Sequence, residues 1–276
     1  MYADDLKFIV KTAREAGAVA SGFYGKVDRL TKTHATTTAE AVTEGDRATQ
    51  RLIVSALRKQ FPDDNIIGEE SDSGDAITAE IADPMGRTWV IDPIDGTNNF
   101  ISGVGVWAVC IGLLEAGMPV LGVVYDVTRD AMFCAAKGEG AWLNDKPIAA
   151  LSTPLSDASV LMLTSNLLTK QGRAPGWACE WISQTAWKIR IFGSAAIEAA
   201  QVAAGVAHGA VTINGKLWDC VAPAAIVLEA GGTMTNLQGG EIFPYDLRNY
   251  TGAKVPFLAA AAAARDDLLA FIARHP

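Results

Sequence analysis

Trp89-Val90-Ile91-Asp92-Pro93-Ile94-Asp95-Gly96-Thr97-Asn98-Asn99-Phe100 is the stretch around which the rest of the chain is arranged. Trp89 to Ile91 predicts a buried strand, because aromatic and β-branched residues suit a covered, pleated surface. Asp92-Pro93 is expected to end it, since proline cannot donate to a ladder and restricts the residue before it. Asp95-Gly96-Thr97 predicts a tight turn or helix start, with Gly96 allowing close backbone approach. Two carboxylates, a hydroxyl and free N–H groups would then meet at one strand end, a chemistry that suits hard cations and phosphate. Taken alone, the Asp-Pro and Asp-Gly pairs are also ordinary turn dipeptides.

Composition limits the alternatives. A chain of 276 residues, half of them hydrophobic and a fifth charged, can bury a large core as one domain whose halves span about 1–150 and 151–276. A formal net charge of −8 gives no footprint for direct nucleic-acid binding. An acidic protein that handles phosphate needs metal ions to reverse the local field. Cys110, Cys134, Cys179 and Cys220 are scattered without a CxxC pair, which points to structural thiols in a reducing, cytoplasmic setting. No apolar run reaches membrane-spanning length and no signal peptide precedes Asp4. His34, His208 and His275 are the only histidines, and none has a GxSxG or HExxH partner. Catalysis is expected to run on carboxylates.

Working outward, Asp4–Tyr24 and a segment begun by Thr43 and Asp46 have helical apolar spacing. Asp46 suits either a helix N-terminus or an active site. The threonine-rich 31–38 stretch predicts a loop, within which Lys32 is a solvated surface cation. Asn65 to Gly68 predicts a strand running into Glu69-Glu70, of which only one should enter a shared site, because neighbours on a strand face opposite ways. Val106–Glu115, Val120–Val127 and Ala131–Ala136 predict an antiparallel meander. Ala158–Leu163 begins the second half, and Ser165–Lys188 is expected to be irregular, its Trp177, Trp181 and Trp187 used in packing. Ser194 caps a helix, Ala207–Ile213 is a strand, and Asn214-Gly215 a turn. Trp218-Asp219 opens an apolar helix over Val221–Ala230, where Asp219 is a candidate N-cap. Thr233–Asn236 and Phe257–Ala261 are further strands, and Arg265–Arg274 a final helix.

Each acid has an ordinary explanation alone, yet the set has a pattern. Ile67-Gly68-Glu69-Glu70-Ser71, the Trp89–Phe100 stretch, and Trp218-Asp219 with Glu229-Ala230-Gly231-Gly232 together resemble the signatures of the inositol monophosphatase family. Val42-Thr43-Glu44-Gly45-Asp46 and Gly193-Ser194-Ala195-Ala196 match further family positions. The resemblance runs from about Asp4 to Arg274. It implies a layered α/β/α/β/α sandwich of the inositol monophosphatase and fructose-1,6-bisphosphatase type.

The resemblance further implies a Mg²⁺-dependent, lithium-sensitive, homodimeric phosphomonoesterase that acts on a small phosphorylated metabolite. Glu70, Asp92 and the carbonyl of Ile94 would hold one Mg²⁺, and Asp92, Asp95 and Asp219 a second, with a third hydrated ion at Glu70. Thr97 with Asp46 would orient the attacking water, and the Gly96 and Thr97 N–H groups would hold phosphate. Asp95, the Gly193, Ser194 and Ala196 turn, and Lys216 would face the leaving group. The glutamate that often precedes the Trp-Asp pair is missing: Val211 to Leu217 carries no acid. Inositol 1-phosphate or a sugar phosphate is thus the first substrate reading. Histidinol phosphate follows, then a nucleotide 3′-phosphate or fructose bisphosphate. A transcription or RNA-processing partner role is the non-enzymatic alternative. Lys216 would meet a second anion or face solvent, with solvent preferred.

Overall fold

The computed structural model describes residues 2–26, 30–31, 41–42, 44–71, 78–169, 171–184, 186–248 and 250–275. Thr43, Lys32 and His34 lie outside the described residues. The first half contains α1 (Ala3–Ser21), β1 (Leu30–Thr31), β2 (Ala41–Val42), α2 (Glu44–Gln60), β3 (Asn65–Gly68), β4 (Thr78–Glu80), β5 (Thr88–Asp95), α3 (Thr97–Ser102), β6 (Ala108–Glu115), β7 (Met118–Asp126), β8 (Ala131–Ala136), β9 (Gly140–Leu143) and β10 (Lys146–Ile148). The second half adds β11 (Val160–Leu163), α4 (Gly176–Ser183), β12 (Lys188–Arg190), α5 (Ala195–Ala203), β13 (Gly209–Thr212), α6 (Leu217–Glu229), β14 (Gly232–Thr235), β15 (Phe257–Ala261) and α7 (Arg265–Arg274).

Two sheets carry the architecture. The larger has the order β10-β9-β8-β7-β6-β5-β3-β4, antiparallel except where β3 runs parallel to β5. The smaller has the order β12-β11-β13-β15-β14 and is parallel at β12-β11-β13. Helices α1 and α2 cover one face of the large sheet through Ile9, Ala13, Ile53 and Leu57, which pack on Ile66, Trp89 and Ile91. Between the sheets lie α5 and α6, and α6 touches β5 to β9 on one side and β14 and β15 on the other. Trp177 and Trp181 of α4, with Leu268 and Ile272 of α7, cover the outer face of the small sheet. The layering is α/β/α/β/α, as the resemblance implied, and the three tryptophans form an aromatic cluster with Phe271.

Three local expectations change. Strand β5 does not stop at Asp92 but continues through Pro93 to Asp95. It does so with a bulge: Asp92 pairs with Cys110 and Asp95 with Ala108, so three steps on β5 oppose two on β6. A bulge leaves a residue without ladder duty, which is where a strand tolerates proline. The 165–188 segment contains a helix, α4, started by Pro175, whose fixed φ and missing N–H suit that position. Helix α6 begins at Leu217, so Asp219 is its third residue and not its N-cap. The hairpin β9–β10 and the short strands β1, β2 and β4 lack the length that made the longer strands visible.

Candidate active site

The chemistry collects where β3, β5 and the first turn of α6 converge. Side chains on β5 alternate, so Val90 enters the core shared with α5 and α6 while Trp89 and Ile91 face α1 and α2. Asp92 follows Val90 and turns toward α6. On the parallel neighbour, Ile67 also enters the α6 core, and Ile66 the opposite one. The ladder continues past Gly68, because Glu69 N–H donates to the Ile91 carbonyl at 3.1 Å. Alternation therefore puts Glu69 beside Asp92 and turns Glu70 to the α2 side. There the Gln50 amide grips the Glu70 main chain, accepting from its N–H at 2.9 Å and donating to its carbonyl.

Glu69, not Glu70, thus lines a cleft of about 190 Å³ with Asp92, Ile94, Asp95, Gly96, Thr97, Asn166, Asn214, Lys216, Trp218 and Asp219. Glu70, the acid expected in the site, is absent from this lining, because the alternation of the strand presents Glu69 there. Carboxyl oxygens of Asp92, Asp95 and Asp219 all lie within 4.8 Å of one another. Glu69 and Asp219 are the acids whose side chains interact most directly with Asp92. Burial, then the charges of Glu69, Asp95 and Asp219, hold the Asp92 carboxyl well above its ordinary range. Asp219 is likewise raised by burial and by the charges of Asp95 and Glu69.

Asp95 is the best-anchored member. Its Oδ2 accepts from the Ser194 hydroxyl at 2.5 Å and Ala196 N–H at 2.8 Å, and its Oδ1 from Ala195 N–H at 3.2 Å. Burial pushes its pKa up to about 6 against the pull of those three donors. The Gly193-Ser194-Ala196 turn was expected to face the leaving group. Among the described residues these three do not line the cleft; they lie behind Asp95 and hold it. The turn is itself clamped, because Glu198 accepts from Phe192 and Gly193 N–H at 2.7 and 3.0 Å, and Asn99 donates to the Phe192 carbonyl at 2.7 Å.

Gly96 closes the strand with φ +92°, and a Cβ there would lie 3.0 Å from the Val106 carbonyl. Only glycine takes that conformation and fits that space. Thr97 starts α3 and donates its hydroxyl to the Ile94 carbonyl at 3.0 Å. Asp46 is fully buried in the first turn of α2 and is not part of the cleft lining. Asp219 accepts from Lys216 N–H at 2.6 Å, which fixes the helix start. Lys216 does not face solvent: it is half-buried in the cleft and its ammonium donates to the Gly252 carbonyl at 2.5 Å. Trp218 stacks edge-on against Tyr250, whose hydroxyl accepts from Leu217 N–H at 3.1 Å. Asn166 and Asn214 are lining residues that the sequence showed only as loop and turn.

Buried Asp92 and Asp95 with half-buried Asp219 and Glu69, without histidine or cysteine, make an all-oxygen donor set for a hard divalent cation. Known proteins agree with this geometry. The inositol monophosphatase family's sequence profile matches residues 1–271. The chain is 36% identical over 238 residues to a fructose-1,6-bisphosphatase/inositol-1-monophosphatase of Thermotoga maritima, covering 86% of this chain and 87% of that protein. It is 34% identical over 241 residues to the Nus factor SuhB of Pasteurella multocida, again covering 86% and 87%. The solved Thermotoga maritima IMPase superposes with a TM-score of 0.81 at 31% identity, covering 98% of this chain and 97% of that one. With the fold, the acid cluster and these likenesses in agreement, the chain belongs to the inositol monophosphatase family, a family of phosphatases.

Proposed function

We propose that this protein is a Mg²⁺-dependent phosphomonoesterase for a small phosphorylated metabolite, inositol 1-phosphate or a related sugar or polyol phosphate. The observation that carries this reading is the Asp92, Asp95 and Asp219 cluster, with Glu69 lining the same cleft. So many buried carboxyls repel one another unless protons or cations sit among them. Glu69, Asp92 and the Ile94 carbonyl would hold one Mg²⁺, and Asp92, Asp95 and Asp219 a second, with Glu69 taking the place assigned above to Glu70 and the third ion. Bound Mg²⁺ lowers the pKa of a water and offsets charge on the phosphoryl oxygens.

The chain's own groups supply the rest. Gly96 and Thr97 N–H groups, free of strand duty at the end of β5, are the donors for phosphate. The Thr97 hydroxyl gives its proton to Ile94 and keeps lone pairs for a water, with Asp46 as the second group of that pair. Asp95, held by Ser194 and Ala196, cannot swing when substrate enters. Asn166, Asn214, Lys216 and Trp218 form the end of the cleft left for the alcohol. Lithium inhibition, a homodimer and a cytoplasmic location belong to the same proposal. Phosphate release at limiting Mg²⁺ with added Li⁺, and light scattering after gel filtration, test the first two.

The similarity to SuhB favours a second reading, a protein-partner role in transcription. Kinetics for inositol 1-phosphate, histidinol phosphate, a nucleotide 3′-phosphate and fructose 1,6-bisphosphate, measured side by side with Asp92→Asn, separate the two. Mg²⁺-dependent release that falls by about 10³-fold or more in the variant is expected. No release from any ester, or equal release by the variant, would sink the enzymatic reading.

A further inference from the structure

A second cavity of about 440 Å³ lies against the cleft, and Asn214 is part of the wall of both. Leu168, Trp177, Ile213 and Leu237 make it mainly apolar, and its volume is in the range of small-molecule sites. Asn214 is the residue that the two linings have in common. Asn214 Nδ2 donates to the Asn166 and Leu168 carbonyls at 2.9 and 3.2 Å, and its Oδ1 accepts from the Lys254 ammonium. With donors and acceptor engaged, the Asn214 amide offers little unmet polarity to a hydrocarbon chain crossing it. The alcohol end of the cleft, Asn166, Asn214, Lys216 and Trp218, contains no carboxylate to bind a polyol's hydroxyls. That composition also admits an alcohol that carries an apolar part.

We propose that this cavity is a leaving-group subsite, which takes the aromatic or hydrocarbon part of an alcohol whose phosphate sits in the cleft. The proposal rests on the phosphatase reading above. In the reaction ROPO₃²⁻ and water give ROH and HPO₄²⁻. The P–O bond to the alkoxy oxygen breaks, the water oxygen bonds to phosphorus, and a water proton ends on the alcohol. The tail touches no reacting atom, so its burial stabilises bound substrate and transition state alike. Such binding lowers KM and leaves kcat nearly constant.

The test compares ethyl phosphate with 3-phenylpropyl phosphate on the full chain with Mg²⁺, and on Leu168→Asp. Each buried methylene is worth about fourfold, so the phenylpropyl ester should have a kcat/KM at least about 10-fold higher, through KM. Leu168 is exposed at the cavity mouth, so aspartate there is compatible with folding, and it should collapse that ratio toward one. A wild-type ratio near one, or an unchanged ratio in Leu168→Asp, overturns the subsite. If neither ester is hydrolysed, the four-ester panel above decides the phosphatase reading separately. Saturation-transfer NMR of the phenylpropyl ester then decides the subsite: aryl signals lost in Leu168→Asp support it, and equal signals in both proteins overturn it.

Discussion

Glu69 and Glu70 show how one residue of offset separates a side chain in the cleft from one outside it. They are neighbours with the same side chain, but β3 gives Glu69 to the α6 face and Glu70 to the α2 face, where Gln50 holds its main chain. Glu69→Gln should therefore weaken Mg²⁺ activation by about 10–100-fold, the scale seen when groups around a metal are altered. Glu70→Gln should stay within a few-fold of wild type in the Mg²⁺ concentration that gives half activity. Titrating both variants with Mg²⁺ checks this, and the reverse ranking would restore Glu70 as the ligand. The spacing of the motif was legible in the sequence, but which glutamate faced inward was not, because that depends on the ladder continuing past Gly68.

At the scale of elements, the cluster exists because α6 approaches the large sheet closely. Gly112 of β6 and Gly122 of β7 are directly opposite in the ladder, beneath α6. A Cβ at Gly122 would lie 2.1 Å from the Ala222 carbonyl, and one at Gly112 would lie 2.6 Å from Val221 Cγ1. The glycine pair lets the helix settle onto the sheet and bring Asp219, one turn earlier, to Asp92. Gly122→Ala must push α6 outward, and overpacking against backbone costs about 3 kcal/mol, roughly 6–12 °C in Tm. A melting temperature within about 2 °C of wild type would show that the contact relaxes freely. Activity should fall further than stability alone explains, because Asp219 moves with the helix. The helices and meander were legible from periodicity. The bulge at Pro93 and the helix α4 were not, because a proline tolerated in a strand and a short aromatic helix are both decided by their neighbours.

For the whole molecule, the gathered acids make stability depend on pH and metal together. Burial raises Asp95 to about 6, and burial with neighbouring charge raises Asp92 and Asp219 well above the carboxylate range. The folded state thus binds more protons than the unfolded chain, and metal-free stability falls as pH rises from near 4 past about 6. Mg²⁺ competes with those protons, so its stabilising effect should grow over the same window. Thermal scans in EDTA and in Mg²⁺ from pH 5 to 8 check this, with the gap between the two curves widening as pH rises. A gap that is constant or shrinks would contradict the metal assignment. The sequence by itself determined the family, the layered fold and the acid-rich strand end, because these are written in local periodicity and in motifs of contiguous residues. The tertiary structure alone decided that Glu69 is the acid in the cleft, that Ser194 and Ala196 hold Asp95, and that Asn214 lines both the cleft and a second cavity. Those assignments depend on which faces of distant segments meet, and that geometry is set only when β3, β5 and α6 pack together.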